Sequence, residues 1–285
     1  VRDTIKISAA VAVAAALTAG LSACSAPSDT DSGGKKGGAD AKLVVAASPT
    51  PHAVILDYVK DKLAKDAGLN LEVKEFNDYN LPNTSTENGD VDANFFQHKP
   101  FLDEFNKKNN THIVPVVNVE IEPLGLYSKT AKKLSDLKAG AKIAVPNDAT
   151  NEGRALKLLA DHKLIDLKAG VGANAKLSDI TDKKGLSFTE LEAPQIPTRL
   201  KDVDAAVING NFAIGAHLKP SEDALALEQA KGNPYANFLA VKKGDEHDPR
   251  VEKLAKLLNS DDVKKFIESK YTDGSVLPAF GPVKS

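Results

Sequence analysis

The stretch from Gly89 to Phe105 reads GDVDANFFQHKPFLDEF, and it carries residue types that a core strand does not need. Val91 and Ala93 point to one sheet face and Asp92 to the other. The chain then leaves the sheet near Asn94, so Phe95, Phe96, Gln97 and His98 fall in a strand-to-helix turn. Either one phenylalanine serves the core while the other faces a ligand, or both are core. Pro100 suits the first position of the following helix, with Asp103 and Glu104 in its acidic first turn and Phe101, Leu102 and Phe105 on its apolar face.

Arg154 is the second chemical signal. It falls in the first turn of a helix, where the dipole disfavours a cation, and Thr150 or Asn151 caps that helix. Free backbone amides plus an arginine fork make a carboxylate receptor; the alternative is a solvated surface arginine. Asn209 and Asn211 flank Gly210 after a buried strand, where their amides bind a charged head group or simply make a turn. Tyr79 is placed to cover an apolar side chain, and Asn237 lies where the chain recrosses between its halves.

The elements that position these residues come in two similar series. KLVVAAS is a buried strand, VILDYVKDKLAKD has helical spacing and ends at Gly68, NLEVKEF alternates as a strand, NDYNLPNTSTENG is a polar loop, and DVDANFF is a third strand. The second half repeats this order with AKIAVP, the loop NDATNEG, the helix RALKLLADHKLI, the strand GLSFTELE, and DVDAAVI ending in NGN. The tetrapeptide DVDA stands at the same place in both series. Strands alternating with helices imply an α/β fold of two lobes, each a mostly parallel sheet flanked by helices. Ligands of such sheets bind beyond the carboxyl ends of the strands. The candidate segments are therefore Ala47–Pro51, Asn77–Asn80, Asn94–His98, Asn147–Arg154 and Asn209–Asn211. HIVPVVNVEIEPLGLYSK runs out of the first lobe and NPYANFLAVKKG runs back, so two crossover segments form a hinge, and helical material from Asp248 to Tyr271 packs on the first lobe.

At the N-terminus, Arg2 and Lys6 precede an Ala- and Val-rich stretch and then LSAC at Leu21–Cys24, the layout of a secretory signal. The chain's single cysteine, Cys24, cannot pair internally, and its setting resembles the bacterial lipobox, in which the sulfur is lipidated. Residues 25–40 are too polar to pack and read as a tether. The expected division is a signal peptide over 1–23, lipidated Cys24 and tether over 24–41, a first lobe of 42–121 plus 238–285, and a second lobe of 122–237. A net charge of −2 with no basic stripe speaks against a nucleic-acid partner.

Together the segments FNDYNLPN, DVDANFFQHKPFL, VPNDATNEGRAL, ELEAPQIPTRL, AVINGN and NPYAN resemble the NlpA-type lipoproteins, methionine-binding receptors of bacterial ABC importers. The resemblance spans essentially all of the chain after Cys24. It implies a two-lobed periplasmic-binding-protein fold of type II that closes on an amino acid. It further implies a monomer, no cofactor, a lipid anchor on the outer face of the cell membrane, and a permease with its ATPase as partners. By the same resemblance Arg154 clamps the ligand carboxylate, Phe96 and His98 line the pocket, and Tyr79 adds aromatic surface. Asn209 and Asn237 hold the head group, with Asn211 beside them, and Phe101 stands where the family often has tyrosine. The ligand is L-methionine, D-methionine, a methionine-containing dipeptide or another small amino acid.

Two other classes compete. An enzyme is disfavoured because the six histidines (52, 98, 112, 162, 217 and 247) show no metal spacing and no G-x-S-x-G elbow occurs. A surface lipoprotein that mainly binds another protein is the remaining alternative.

Overall fold

The computed structural model describes residues 41–230 and 232–284. The expected signal peptide, Cys24 and nearly all of the tether lie outside the described residues.

The first sheet starts with β1 (Leu43–Ala47), β2 (Leu71–Glu75), β3 (Ala93–His98) and β4 (Ile113–Ile121). The second is built from β5 (Gly125–Tyr127), β6 (Lys142–Pro146), β9 (Ser187–Leu191), β10 (Ala205–Ile208) and β11 (Ala224–Leu227), with the small ribbon of β7 (Asp166–Leu167) and β8 (Ile180–Asp182) apart from it. The chain then returns to the first sheet as β12 (Asn237–Lys242) and β13 (Leu277–Gly281). The strand orders are β13-β4-β12-β3-β1-β2 and β11-β5-β10-β6-β9. Taken from the β2 and β9 edges, each sheet runs second, first, third, visitor, fourth, where the visitor is the strand that has crossed from the other lobe, and the first sheet adds β13 at its far edge. This is the expected two-lobed α/β architecture with two crossings.

The sheets are mixed and not mostly parallel. Strands joined through helices pair in parallel (β1 with β2 and β3; β6 with β9 and β10), whereas the visitors β12 and β5 enter antiparallel to β3 and β10. A strand arriving from the opposite lobe runs against those that point toward the cleft, which sequence alternation does not encode.

The repeated DVDA performs one job twice. Asp92 accepts a hydrogen bond from Val44 N on β1, and Asp204 accepts one from Lys142 N on β6, both at 2.7 Å. Each carboxylate secures the first strand of its sheet, so the repeat is structural.

The helices are α1 (Val54–Lys62), α2 (Leu81–Asn88), α3 (Lys99–Asn109), α4 (Ala149–Asp161), the short α5 (Ile196–Arg199), α6 (Gly210–Gly215) and α7 (Pro220–Asp223), then α8 (Pro249–Leu258) and α9 (Asp261–Lys270). The last two place Val251, Leu254, Leu258, Val263 and Ile267 in the core beneath the first sheet, as expected of the C-terminal helices. Among the described residues no helix is long and apolar enough to cross a membrane.

Three local expectations are corrected. The polar loop NDYNLPNTSTENG contains α2, because Asp78 accepts from the amides of Asn80 and Leu81, Pro82 opens the helix, and Gly89 ends it in the left-handed conformation. Its buried face is polar: Asn83 and Thr86 bond with Asn94 and Gln97, so hydrophobic periodicity misses it. Phe95–His98 belong to β3 and not to a turn. Finally, α3 starts at Lys99 with His98 as its cap, which puts Asp103 a turn later, paired with Lys99 and not in an acidic first turn.

Candidate functional site

The strand β3 delivers its side chains through a bulge. Its register with β12 passes from Phe95 to Gln97 and skips Phe96. Phe95 therefore stays in the core while Gln97 joins Asn94 in the polar network, and Phe96 faces the space between the sheets. The segment's two phenylalanines thus divide, one to the core and one to the cleft.

On the facing lobe, α4 begins earlier than the sequence suggests. Asp148 is its N-cap, accepting from Asn151 N at 3.0 Å, so neither Thr150 nor Asn151 caps it. Arg154 lies in the second turn and is buried, not solvated. Its Nε donates to both carboxylate oxygens of Glu228 at 3.0 and 3.1 Å, and its Nη2 donates to Glu228 and to the carbonyl of Glu122 at 3.1 Å. The ring of Tyr235 covers the guanidinium, 4.2 Å from its carbon. Nη1 makes no hydrogen bond among the described residues and remains for a further partner.

These residues line a pocket between the sheets with about 360 Å³ of atom-free space, part of it open to solvent. All eight residues expected at the site line it: Tyr79, Phe96, His98, Phe101, Arg154, Asn209, Asn211 and Asn237. Segment Ala47–Pro51 does not reach its wall. One end is aromatic, with ring centroids of Tyr79 5.7 Å from Phe101 and 6.0 Å from Phe96. The other end is polar.

Two hydrogen bonds cross the cleft. Tyr79 Oη donates to Asn211 Oδ1 at 2.7 Å, and His98 Nε2 lies 3.2 Å from Asn151 Oδ1. The two lobes therefore meet around the cavity, in a closed arrangement. His98 Nδ1 accepts from Phe101 N at 3.2 Å, so the ring proton is on Nε2 and donates to Asn151. Burial, then the Arg154 charge, pushes His98 from its ordinary 6.5 down to about 3. Burial, then the charges of Glu122 and Asp148, raises the Tyr79 phenol well above its usual range, which keeps it a donor.

The His98 shift has a measurable consequence. Below about pH 6.5 the unfolded chain takes up a proton that the folded protein refuses, so this contribution to stability is complete above that pH and is lost progressively toward about pH 3. The expected slope from this residue is at most about 1.4 kcal/mol per pH unit. Urea unfolding between pH 4 and pH 7 should show a shallower decline in His98→Gln; identical slopes would mean that His98 titrates normally.

Three wall or near-wall residues escaped the sequence reading. Glu122 alternates with Glu120 in VEIEP as though facing solvent, yet both are buried where β4 leaves the first sheet. Tyr235 and Glu228 sit in the returning crossover; the signal for Tyr235 was its place two residues before Asn237, and Asn151 lies in the candidate segment Asn147–Arg154. His52, Glu120 and Glu122 form the one group of three metal-type donors among the described residues, with donor atoms within 4.8 Å. Asn237 Nδ2 donates to Glu120 Oε1 at 2.9 Å and lies 3.2 Å from His52 Nε2, so Asn237 links His52 and Glu120 beside the cavity.

Comparison with known proteins shows the chain's family. Residues 43–280 match the NlpA lipoprotein family. The chain is 40% identical over 264 residues to the methionine-binding lipoprotein MetQ of Bacillus subtilis, covering 90% of this chain and 93% of that protein. It is 40% identical over 222 residues to the D-methionine-binding lipoprotein MetQ of Escherichia coli K12, covering 76% and 82%. Among solved structures, a nutrient-binding protein of Burkholderia cenocepacia bound to methionine superposes with a TM-score of 0.80 at 45% identity, over 84% of this chain and all (100%) of that one.

Proposed function

Because this chain belongs to the NlpA lipoprotein family, we propose that its cleft captures methionine, in the L or D form, and delivers it to an ABC import permease. As a lipoprotein of that family it is a binding protein of the extracytoplasmic face and not an enzyme. The observation that carries the reading is the two-ended cavity, an aromatic wall of Tyr79, Phe96 and Phe101 set against a buried guanidinium with one nitrogen to spare.

A small zwitterion with an apolar side chain uses both ends. Arg154 holds the carboxylate through Nη1, Phe96 and Phe101 pack on the thioether, and Tyr79 closes over it. Sulfur–aromatic contacts contribute about 0.3–1.5 kcal/mol each. His98 lies at the polar end with Asn209, Asn211 and Asn237, which hold the head group. The lobes, 42–121 plus 238–285 and 122–237, rotate about the two crossings, and the Tyr79–Asn211 and His98–Asn151 bonds form as they meet. Lipid on Cys24 and the tether keep the body near the membrane, and a separate ATPase chain drives the permease.

Calorimetry of the fragment starting after Cys24, against L-methionine, D-methionine and methionine dipeptides, tests this reading. A ligand at about 100 times its dissociation constant should also add about 2.7 kcal/mol to stability. If none of these ligands produces heat or a thermal shift, the cleft is not an amino-acid site and the protein-binding alternative gains.

A further inference from the structure

Both crossovers are rooted at one cluster of buried ligand-type side chains. Glu120 lies near the end of β4, Glu122 just beyond it where the chain sets out for the second sheet, and Asn237 opens β12 where the chain returns. His52 joins them from the segment after β1. His52 and Glu120 are fully buried and lie outside the wall of the methionine cavity, which of the three only Glu122 reaches. His52 Nε2 is 3.2 Å from Glu120 Oε1 and 3.6 Å from Glu122 Oε1. Nitrogen and oxygen ligands about 2.0–2.2 Å from one tetrahedral ion stand about 3.3–3.6 Å from each other, so the imidazole is spaced from both carboxylates as co-ligands are. The donor atoms of all three lie within 4.8 Å of one another.

Among the described residues no lysine or arginine pairs with either carboxylate; their one ion-pair partner is His52. Glu120 Oε2 and Glu122 Oε1, both buried, make no hydrogen bond. Burying two carboxylates side by side is costly unless a cation joins them. The donor between His52 and Glu120 is the Asn237 amide, and since an amide nitrogen only donates, His52 Nε2 turns its lone pair into the group.

We infer that His52, Glu120 and Glu122 form a site for a divalent transition cation of the zinc type, which braces both crossovers against the first lobe. One imidazole and two carboxylates suit zinc and its neighbours, whereas calcium and magnesium need a larger set of oxygens. Asn237, its amide turned end for end, presents Oδ1 as a fourth ligand. The ion then ties the outgoing crossover at Glu122 to the returning one at Asn237, and both to the segment after β1. Glu122 Oε2 keeps its bond from Asn211 N of α6 at 2.7 Å, so the brace extends to the second lobe. This inference rests on the fold and not on which ligand the cleft captures.

The experiment is titration calorimetry with zinc chloride, in the absence of methionine, on the chelator-treated chain after Cys24, which holds every described element. Magnesium and calcium serve as comparison cations, and His52→Gln and Glu120→Gln as variants. The wild type should bind one equivalent of zinc and melt at a higher temperature with it, with no comparable response to magnesium or calcium. Each variant should lose more zinc affinity than the roughly 10- to 100-fold that an outer-shell substitution costs, and its melting should no longer respond to zinc. Circular dichroism and the zinc-free melt report whether each variant is folded. Cobalt reads the site in the wild type without any variant, through the visible absorption of a four-coordinate nitrogen–oxygen set. Absence of zinc binding to the wild type, a six-coordinate cobalt spectrum, or unchanged zinc affinity in both folded variants overturns the inference and leaves the methionine reading standing.

Discussion

Arg154→Ala is expected to reduce methionine affinity by at least about 30-fold, because truncating one partner of a buried, hydrogen-bonded charge pair costs about 2–5 kcal/mol. The variant does a second thing as well. Glu228, whose side chain is 16% exposed, loses its bidentate partner, and breaking such a pair destabilises a protein by about 3–5 kcal/mol when it is fully buried, less here. Loss of binding could then reflect loss of fold. The double variant Arg154→Ala with Glu228→Gln separates the two, since it removes the orphaned charge along with the guanidinium. It should recover stability in denaturant unfolding and still fail to bind. Methionine bound by the double variant with wild-type affinity would take Arg154 out of the site.

Gly153→Ala should produce the second large effect, with a sign opposite to helix propensity. In an exposed helix interior, glycine to alanine gains about 1 kcal/mol. At Gly153 an added Cβ would meet the Ala173 carbonyl oxygen at 2.1 Å and its carbon at 2.9 Å. Both are backbone atoms, so no rotamer change relieves the clash. The neighbouring Glu152 anchors the same segment by accepting from Leu177 N at 2.8 Å. Overpacking of this kind costs about 1–3 kcal/mol, and α4 can relieve it only by moving away, carrying Asn151 and Arg154 with it. Denaturant unfolding should therefore show destabilisation, and calorimetry a weaker complex. A stabilised variant with unchanged affinity would mean that α4 does not rest on the segment around Ala173.

Much of the architecture could be read from local pattern. The strands at KLVVAAS, NLEVKEF, AKIAVP, GLSFTELE and DVDAAVI form where alternation or continuous apolar runs placed them. The helix α2 could not be read so, because Asn83 and Thr86 bury a polar face that gains its stability from amide bonds to β3. Hydrophobic period is blind to such a helix. The start of α4 was misjudged for a related reason: NDAT reads as loop chemistry, and the same Asp148 that suggests a turn caps the helix.

The cavity shows the same division. Tyr79, Phe96, His98, Arg154, Asn209 and Asn211 belong to segments that follow strands, where an α/β sheet gathers its ligand groups, so chain order alone brought them under suspicion, whereas Phe101 entered only through the family resemblance. Residue order, element type and the doubled β-α-β series are short-range properties, carried by turn chemistry and by periods of two and 3.6 residues. Which charge meets which is a long-range property. Arg154 and its carboxylate partner lie 74 residues apart, and Glu122 meets the amide of Asn211 across 89 residues of chain. Those encounters exist because the folding of the second lobe gathers segments that lie far apart in the chain and excludes water between them. Coulombic and hydrogen-bond partners are chosen at that point, by distance in space, and no local pattern in the chain records the choice.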